Sequence, residues 1–83
     1  MLDTMGLARR LVALHDDRGI PLAASIEMAV DAGIRLPLLG LVAEMAARNW
    51  GAAAVRESVG VWAAVYHDPT DAERVAVAAV RSR

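Results

Sequence analysis

Glycine and proline residues divide this chain into five short apolar segments, and this division constrains the fold more than any other feature of the sequence. Gly19 and Gly33 each follow a run with helical apolar spacing, where a residue without a β-carbon readily ends a helix. Gly51 interrupts the chain again, and Pro21 and Pro37 suit the first turns of the segments that follow the first two breaks. The sequence therefore predicts an all-α fold, a compact bundle of about five short helices.

The apolar residues inside the segments recur every three or four positions, which is the spacing of one helical face. In the first two segments the predicted faces consist of Leu7, Leu11 and Leu14, and of Leu22, Ile26 and Ala29. The last segment begins with Thr70 and Glu73, spaced as a capping box in which each side chain binds the other residue's backbone N–H. This pair is the strongest helix-start signal in the chain.

The third segment, which Pro37 opens, is apolar nearly all round apart from Glu44 and Arg48, so we expect it to be the central helix. Gly40 lies inside this segment and forms a stripe of small residues with Ala43 and Ala47. We expect a neighbouring backbone to approach Gly40 closely and to offset the roughly 1 kcal/mol that glycine costs inside a helix. Glu44 and Arg48 are spaced for a favourable pair on the solvent side.

Hydrophobic residues make up 57% of the 83 residues, and the chain has no cysteine for a disulfide or a thiolate metal site. A single helical domain over residues 1–83 buries only a modest fraction of its surface. We therefore expect part of the apolar surface to be covered by a partner. This predicts a non-catalytic protein–protein interaction or oligomerisation module, acting as an adaptor or as a small subunit of a larger assembly.

The fourth segment carries two apolar stripes, which suggests two packing partners. The first stripe contains Val55, Val59, Trp62 and Tyr66, and the second contains Ala54, Ser58, Val61 and Val65. Burial favours the larger, more aromatic first stripe as the core. We therefore predict that the partner-binding residues are Val61, Val65 and Trp50, since Trp50 stands beside a helix-ending glycine.

The residues that could act as metal ligands, nucleophiles or phosphate-binding groups all have structural explanations. His15 and His67 stand beside acids at predicted helix ends, and their spacing matches no known metal-ligand pattern. Ser25 and Ser58 lack the context of a nucleophile elbow, and Thr70 is already explained as a helix cap. The glycines are scattered singly and form no phosphate-binding loop. We expect no enzymatic activity, no cofactor and no metal.

The main alternative is a helix-turn-helix DNA-binding regulator. The residues with that spacing are Ala29, Ala32, Gly33, Ile34, Leu39 and Val42. A recognition helix presents polar side chains to base edges, yet the third segment offers only Glu44, Arg48 and Asn49. The formal net charge of −1 also leaves no positive excess to neutralise phosphates. Two core helices joined by a glycine turn are therefore the favoured interpretation, and we expect no nucleic-acid partner.

The stretch from Leu22 to Gly51, which contains AVDAGIRLPLLGLVAEMAARNWG, resembles the helical C-terminal domain of β-hydroxyacid dehydrogenases and related imine reductases. The shared pattern is an alanine-rich helix, a glycine turn, a Leu-Pro-Leu helix start and another glycine. The family places a basic residue ahead of this stretch, where Ile20 and Pro21 stand here. The resemblance implies a helical hairpin that docks against its twin and, as a second alternative function, an accessory domain of an oxidoreductase. It implies no site residue.

The first residues do not have the pattern of a signal segment, so we expect none. The longest apolar run, Leu36 to Ala43, is far too short to cross a bilayer. We expect no membrane span. The default expectation is a cytoplasmic location.

Overall fold

A computed structural model describes residues 2–82, and these residues form five α-helices. The helices are α1 (Thr4–Arg18), α2 (Leu22–Asp31), α3 (Leu38–Ala47), α4 (Ala52–Val65) and α5 (Asp71–Arg81). The predicted all-α bundle is confirmed. Within the described range, no helix has both the length and the apolar character needed to cross a membrane.

The glycines and one asparagine end the helices where the backbone becomes left-handed. Gly19 (φ 68°) follows α1, and Gly33 (φ 74°) follows α2, as predicted. At the end of α3 the left-handed residue is Asn49 (φ 57°), whose short polar side chain tolerates this conformation. Gly51 instead has an extended backbone and forms the N-cap position of α4, so it opens a helix rather than ending one.

The α3 helix is central, as predicted, and it shares this position with α4. The α3 helix packs against α1, α4 and α5, while α4 packs against α2, α3 and α5. The predicted first stripe of α4 faces the core, because Val59, Trp62 and Tyr66 are buried and Val55 is half-buried. The core therefore lies between these two helices and the helices that flank them.

The predicted apolar face of α1 is wrong in detail. Ala8 and Val12 are the fully buried residues of this helix, while the predicted Leu7 and Leu11 are half-buried and pack at the edges of the core. The cause is the close approach of α1 and α3 at Gly40. A β-carbon built on Gly40 would lie 3.2 Å from the β-carbon of Ala8, and larger side chains cannot occupy such a crossing.

The linker between α2 and α3 is held by the aromatic residues of α4. The Tyr66 hydroxyl donates to the Ile34 carbonyl (2.7 Å) and accepts from the Leu36 N–H (3.1 Å). The Trp62 indole N–H donates to the Leu36 carbonyl (2.8 Å). These bonds satisfy buried backbone groups that the irregular linker cannot pair with itself, and they fix where α3 begins.

The predicted capping box of α5 is present. The Thr70 hydroxyl accepts from the Glu73 N–H (3.2 Å), and the Glu73 carboxylate accepts from the Thr70 N–H (2.8 Å). The same carboxylate also accepts from the Leu38 N–H (2.9 Å) at the start of α3. Glu73 therefore joins the N-terminal ends of α3 and α5.

Candidate interaction surface

An apolar groove of about 430 Å³ lies between α3 and α5. Its walls are Val42 and Ala46 of α3 and Ala76 and Ala79 of α5. The two helices are held together at their N-terminal ends by Glu73, and the groove is formed by residues farther along both helices. The other lining residues are Val80 of α5 and, at the start of α4 and in the turn before it, Trp50, Ala52, Val55 and Arg56.

On the solvent side of α3, which borders the groove, every residue is apolar. Leu39 is 45% exposed, and Ala43, Ala46 and Ala47 are exposed beside it. The charged residues of α3 lie towards α1 instead. Glu44 accepts from Arg48 (2.9 Å) and also from Arg9 of α1 (3.0 Å). The predicted Glu44–Arg48 pair is confirmed, but its predicted place on the solvent side is wrong, because the Glu44 side chain is only 16% exposed and faces α1.

The hydrogen bonds from Arg48 and then Arg9 lower the pKa of Glu44, because both stabilise its ionised form. The network continues to the end of α1, where Arg48 also pairs with Asp16 (3.5 Å). These pairs keep the charges of α3 on its α1 side. The opposite side of the helix is therefore left with a purely apolar surface.

The apolar arc of α5 is wider than the surface that its own domain covers. Three of its apolar residues are half-buried against the bundle: Ala76, Val77 and Val80. Four others are exposed: Ala72, Val75, Ala78 and Ala79, of which Val75 is 68% exposed. At 3.6 residues per turn these seven residues span roughly 260° of the helix. About half of this apolar arc therefore faces solvent.

The exposed parts of α3 and α5 meet at the groove, and together they form one apolar surface, which we call the α3–α5 face. It consists of Leu39, Val42, Ala43, Ala46, Ala72, Val75, Ala76 and Ala79. On α5, Arg74 and Arg81 lie away from this face in a separate cleft, and Glu73 is buried against the bundle. Isolated exposed apolar residues are common on protein surfaces, but a contiguous apolar surface beside a groove is typical of an interaction site.

Of the three predicted partner-binding residues, Trp50 is the one that borders this groove. Trp50 is half-buried, its indole N–H donates to Asp16 (3.0 Å), and its ring lies 5.0 Å from that of His15. Val61 is also half-buried and lines a separate cleft of about 200 Å³, which Trp50 borders from the other side. Val65 is half-buried against the core and is not among the residues lining that cleft.

The second stripe of α4 is partly covered within the chain, because α2 packs against α4. Val61 lies in the cleft beside Leu22 and Ala23 at the start of α2. The sequence offered no way to see that α2 covers this side, since the two helices are joined only through α3. The participation of Val61 and Val65 in partner binding stays a prediction.

The polar cluster around Glu73 is the feature that sequence reasoning missed. Arg35 donates to the two carboxylate oxygens of Glu73 at 2.5 and 3.3 Å, and to the side chain (3.2 Å) and the carbonyl (3.0 Å) of Asp68. Glu73 is only 2% exposed. A capping box predicts the contact with Thr70, but no local pattern points to Arg35, which is 38 residues away.

Burial raises the pKa of Glu73, but the hydrogen bonds from Arg35 and from the backbone of Thr70 and Leu38 outweigh it and lower the pKa from 4.5 to about 2. The same contact with Glu73 raises the pKa of Arg35. Glu73 is therefore an ionised carboxylate whose two oxygens are occupied by donors of its own domain. Its arrangement serves to hold helices together.

The hydroxyl groups considered as nucleophiles are bonded to nearby carbonyl oxygens. Ser25 donates to Pro21 (3.3 Å) and Ser58 donates to Ala54 (2.9 Å), a local contact common for serine in helices. His15 shares a hydrogen bond with the carbonyl of Ile20 (3.0 Å). Across residues 2–82, no group of His, Cys, Asp or Glu is arranged to hold a metal ion.

The helix-turn-helix alternative requires a recognition helix with polar side chains on its exposed face. In α3 that face displays Leu39, Ala43, Ala46 and Ala47 instead. Such a surface carries methyl groups rather than donors and acceptors for base edges. Comparison with known proteins found no matching family, no matching curated relative and no matching solved structure.

Proposed function

We propose that this protein is a non-catalytic helical interaction module that binds an apolar helix of a protein partner at the α3–α5 face. The observation that carries the proposal is the groove between two helices whose exposed sides are both apolar. A helix laid into such a groove would bury Leu39 and Val75, two large side chains that are otherwise 45% and 68% exposed. In this role the chain acts as an adaptor or as a small subunit of a larger assembly.

The shape and chemistry of the groove support a helix as the occupant. Recognition of an amphipathic helix in an apolar groove is a common mode of peptide binding. The walls contain Ala46, Ala76 and Ala79, whose short side chains let the backbone of another helix come close. Apolar burial then supplies the driving force, at roughly 25 cal/mol for each Å² removed from water.

Two neighbouring alanines on α5 provide a matched test. Ala79 lines the groove, whereas Ala78 lines a separate cleft of about 410 Å³ on another side of α5, together with Trp62 and Arg74. Both alanines are exposed, so glutamate at either position leaves the isolated domain folded. We expect Ala79→Glu to weaken partner binding at least about tenfold, because a carboxylate cannot be desolvated cheaply. Ala78→Glu should bind as the wild type does.

The measurement is capture from a lysate of the native host with the tagged wild type and both variants. A partner of the groove is a protein that the wild type and Ala78→Glu retain and that Ala79→Glu loses. If Ala79→Glu retains the same proteins as the wild type, the groove is not the binding site. In that case Val61→Glu tests the neighbouring cleft, with circular dichroism as the check that the helices remain.

A further inference from the structure

We infer that α5 has a second binding surface on the side opposite the α3–α5 face, and that this surface takes an acidic helix of a protein partner. The site is a cleft of about 410 Å³ between α4 and α5. We call it the arginine cleft, because its charged lining residues are Arg74 and Arg81. The inference goes beyond the proposed function, since the arginine cleft is separate from the groove between α3 and α5.

The floor of the arginine cleft is apolar. It is formed by Trp62 and Ala63 of α4, by Val77 and Ala78 of α5, and by Pro69 in the turn between these helices. Ala63 and Val77 are half-buried, and Ala78 is exposed. A ligand in the cleft can therefore bury apolar side chains, while the two cations favour a ligand that also carries negative charge.

The spacing of the two arginines matches a helix. Arg74 and Arg81 are seven residues apart on α5, so they lie on one side of the helix, roughly 10 Å apart along its axis. A partner helix lying along α5 repeats at the same interval, so carboxylates seven residues apart on it face both arginines. In an extended peptide this distance corresponds to about three residues, whose side chains point to opposite faces. An apolar residue midway between the two acids would then lie over Val77.

Both guanidinium groups are accessible to a partner. Arg81 is exposed and forms no hydrogen bond or ion pair with any residue from 2 to 82. Arg74 donates to the Pro69 carbonyl (3.2 Å) and to Asp71. The pair with Asp71 is weak, because the side chains of Arg74 and Asp71 are 61% and 93% exposed. A guanidinium has five N–H donors, so Arg74 can also bind a carboxylate of a partner.

The acids closest to the cleft along the chain are committed to another cation. Asp68 and Glu73 pair with Arg35, whose guanidinium lies 5.8 Å from the centroid of the Trp62 ring. Among residues 2–82, no acidic side chain lines the arginine cleft. An acidic partner therefore supplies the charge that the cleft itself lacks.

The experiment is fluorescence anisotropy with labelled alanine-rich helical peptides, titrated with the whole chain at low salt. The matched peptide carries two glutamates seven residues apart and a leucine between them. A shifted peptide has its second glutamate two positions earlier, on another side of the helix, and a neutral peptide has glutamine at both positions. We expect the shifted peptide to bind at least about twofold, and the neutral peptide at least about threefold, more weakly than the matched peptide.

Variants of the protein locate the binding site of the matched peptide. Arg81→Gln should weaken binding at least about twofold through the loss of one ion pair, and Ala78→Glu should weaken it more, because it places a carboxylate in the cleft. Arg10→Gln removes an exposed arginine of α1, and it should bind as the wild type does. The indole N–H NMR signal of Trp62 should shift on binding, and that of Trp50 should not.

Three results would overturn the inference: no binding of the matched peptide at about 1 mM protein, equal binding of the matched and shifted peptides, and equal losses in Arg10→Gln and Arg81→Gln. Circular dichroism of Arg81→Gln should match the wild type, since Arg81 has no partner among residues 2–82. The proposed function is tested separately, because Ala79→Glu alters the groove and should leave binding of the matched peptide unchanged.

Discussion

Two glycines inside helices, Gly40 in α3 and Gly60 in α4, have opposite surroundings. A β-carbon on Gly40 would lie 2.5 Å from the sulfur of Met5 and 3.3 Å from its carbonyl oxygen, whereas on Gly60 it would meet nothing within 4 Å. We expect Gly40→Leu to lower the free energy of unfolding by roughly 1–3 kcal/mol through overpacking. Gly60→Ala should raise it by about 1 kcal/mol, because alanine is the better helix former.

Urea denaturation of the wild type and both glycine variants measures the two effects. A Gly40→Leu variant as stable as the wild type would show that α1 and α3 do not approach closely. The tight packing at Gly40 is one property that the sequence predicted correctly, but Gly60 shows that a glycine inside a helix does not by itself imply a close contact.

Glu73 gives the protein a specific dependence on pH. Because its pKa falls from 4.5 to about 2 on folding, its ionised form stabilises the folded state at neutral pH. This contribution of about 3 kcal/mol is complete above the unfolded pKa and is lost as the pH falls from 4.5 towards 2. Glu73→Gln should therefore lower stability at pH 7 and flatten its decline in this acidic range.

Thr70→Ala is the control for the acid dependence, because it removes the other half of the capping box and leaves the carboxylate with Arg35. We expect it to cost about 1 kcal/mol, the usual value for an N-cap oxygen, at every pH in the series. Denaturation curves at several pH values compare the two variants. Equal slopes for Glu73→Gln and the wild type between pH 4.5 and 2 would assign the acid dependence to other carboxylates.

Local signals in the sequence determined which segments are helical. Capping residues, glycines and apolar spacing act over one or two turns, so α2 and α5 could be predicted together with their start signals. The rotation of α1 about its own axis could not be predicted, because Ala8 faces inward only as a result of the close contact with Gly40 of α3. Contacts between helices decide which of several apolar stripes becomes the core.

For the candidate interaction surface, too, the sequence predicted one part and contacts between distant residues decided the rest. The excess of apolar residues pointed to an exposed apolar surface, and Trp50 does border the groove. The α3–α5 face itself could not be predicted, since it depends on Glu73 holding the starts of two helices together through Leu38 and Arg35. Those contacts join residues more than 30 positions apart, beyond the reach of any helical periodicity.

Across the five-helix bundle, α5 is attached differently from the other helices. Its buried residue is Glu73, while its apolar residues against the bundle, Ala76, Val77 and Val80, are only half-buried. The α3 helix, in contrast, buries Leu38, Leu41 and Met45. Stability within a domain varies with such differences in burial. The α5 helix is therefore held mainly by a polar contact at its first turn and by modest apolar packing beyond it.

Native-state hydrogen exchange tests this unequal attachment. We expect the backbone amides of α5 to open with a free energy at least about 1 kcal/mol below that of the α3 amides, since fewer apolar contacts must break. Acid should widen the difference, because protonation of Glu73 as the pH falls from 4.5 towards 2 weakens the contact that holds the start of α5. The exchange of α3 should change less over the same range. Exchange of the α5 and α3 amides at one common free energy, at every pH in the series, would show instead that the five helices open only together.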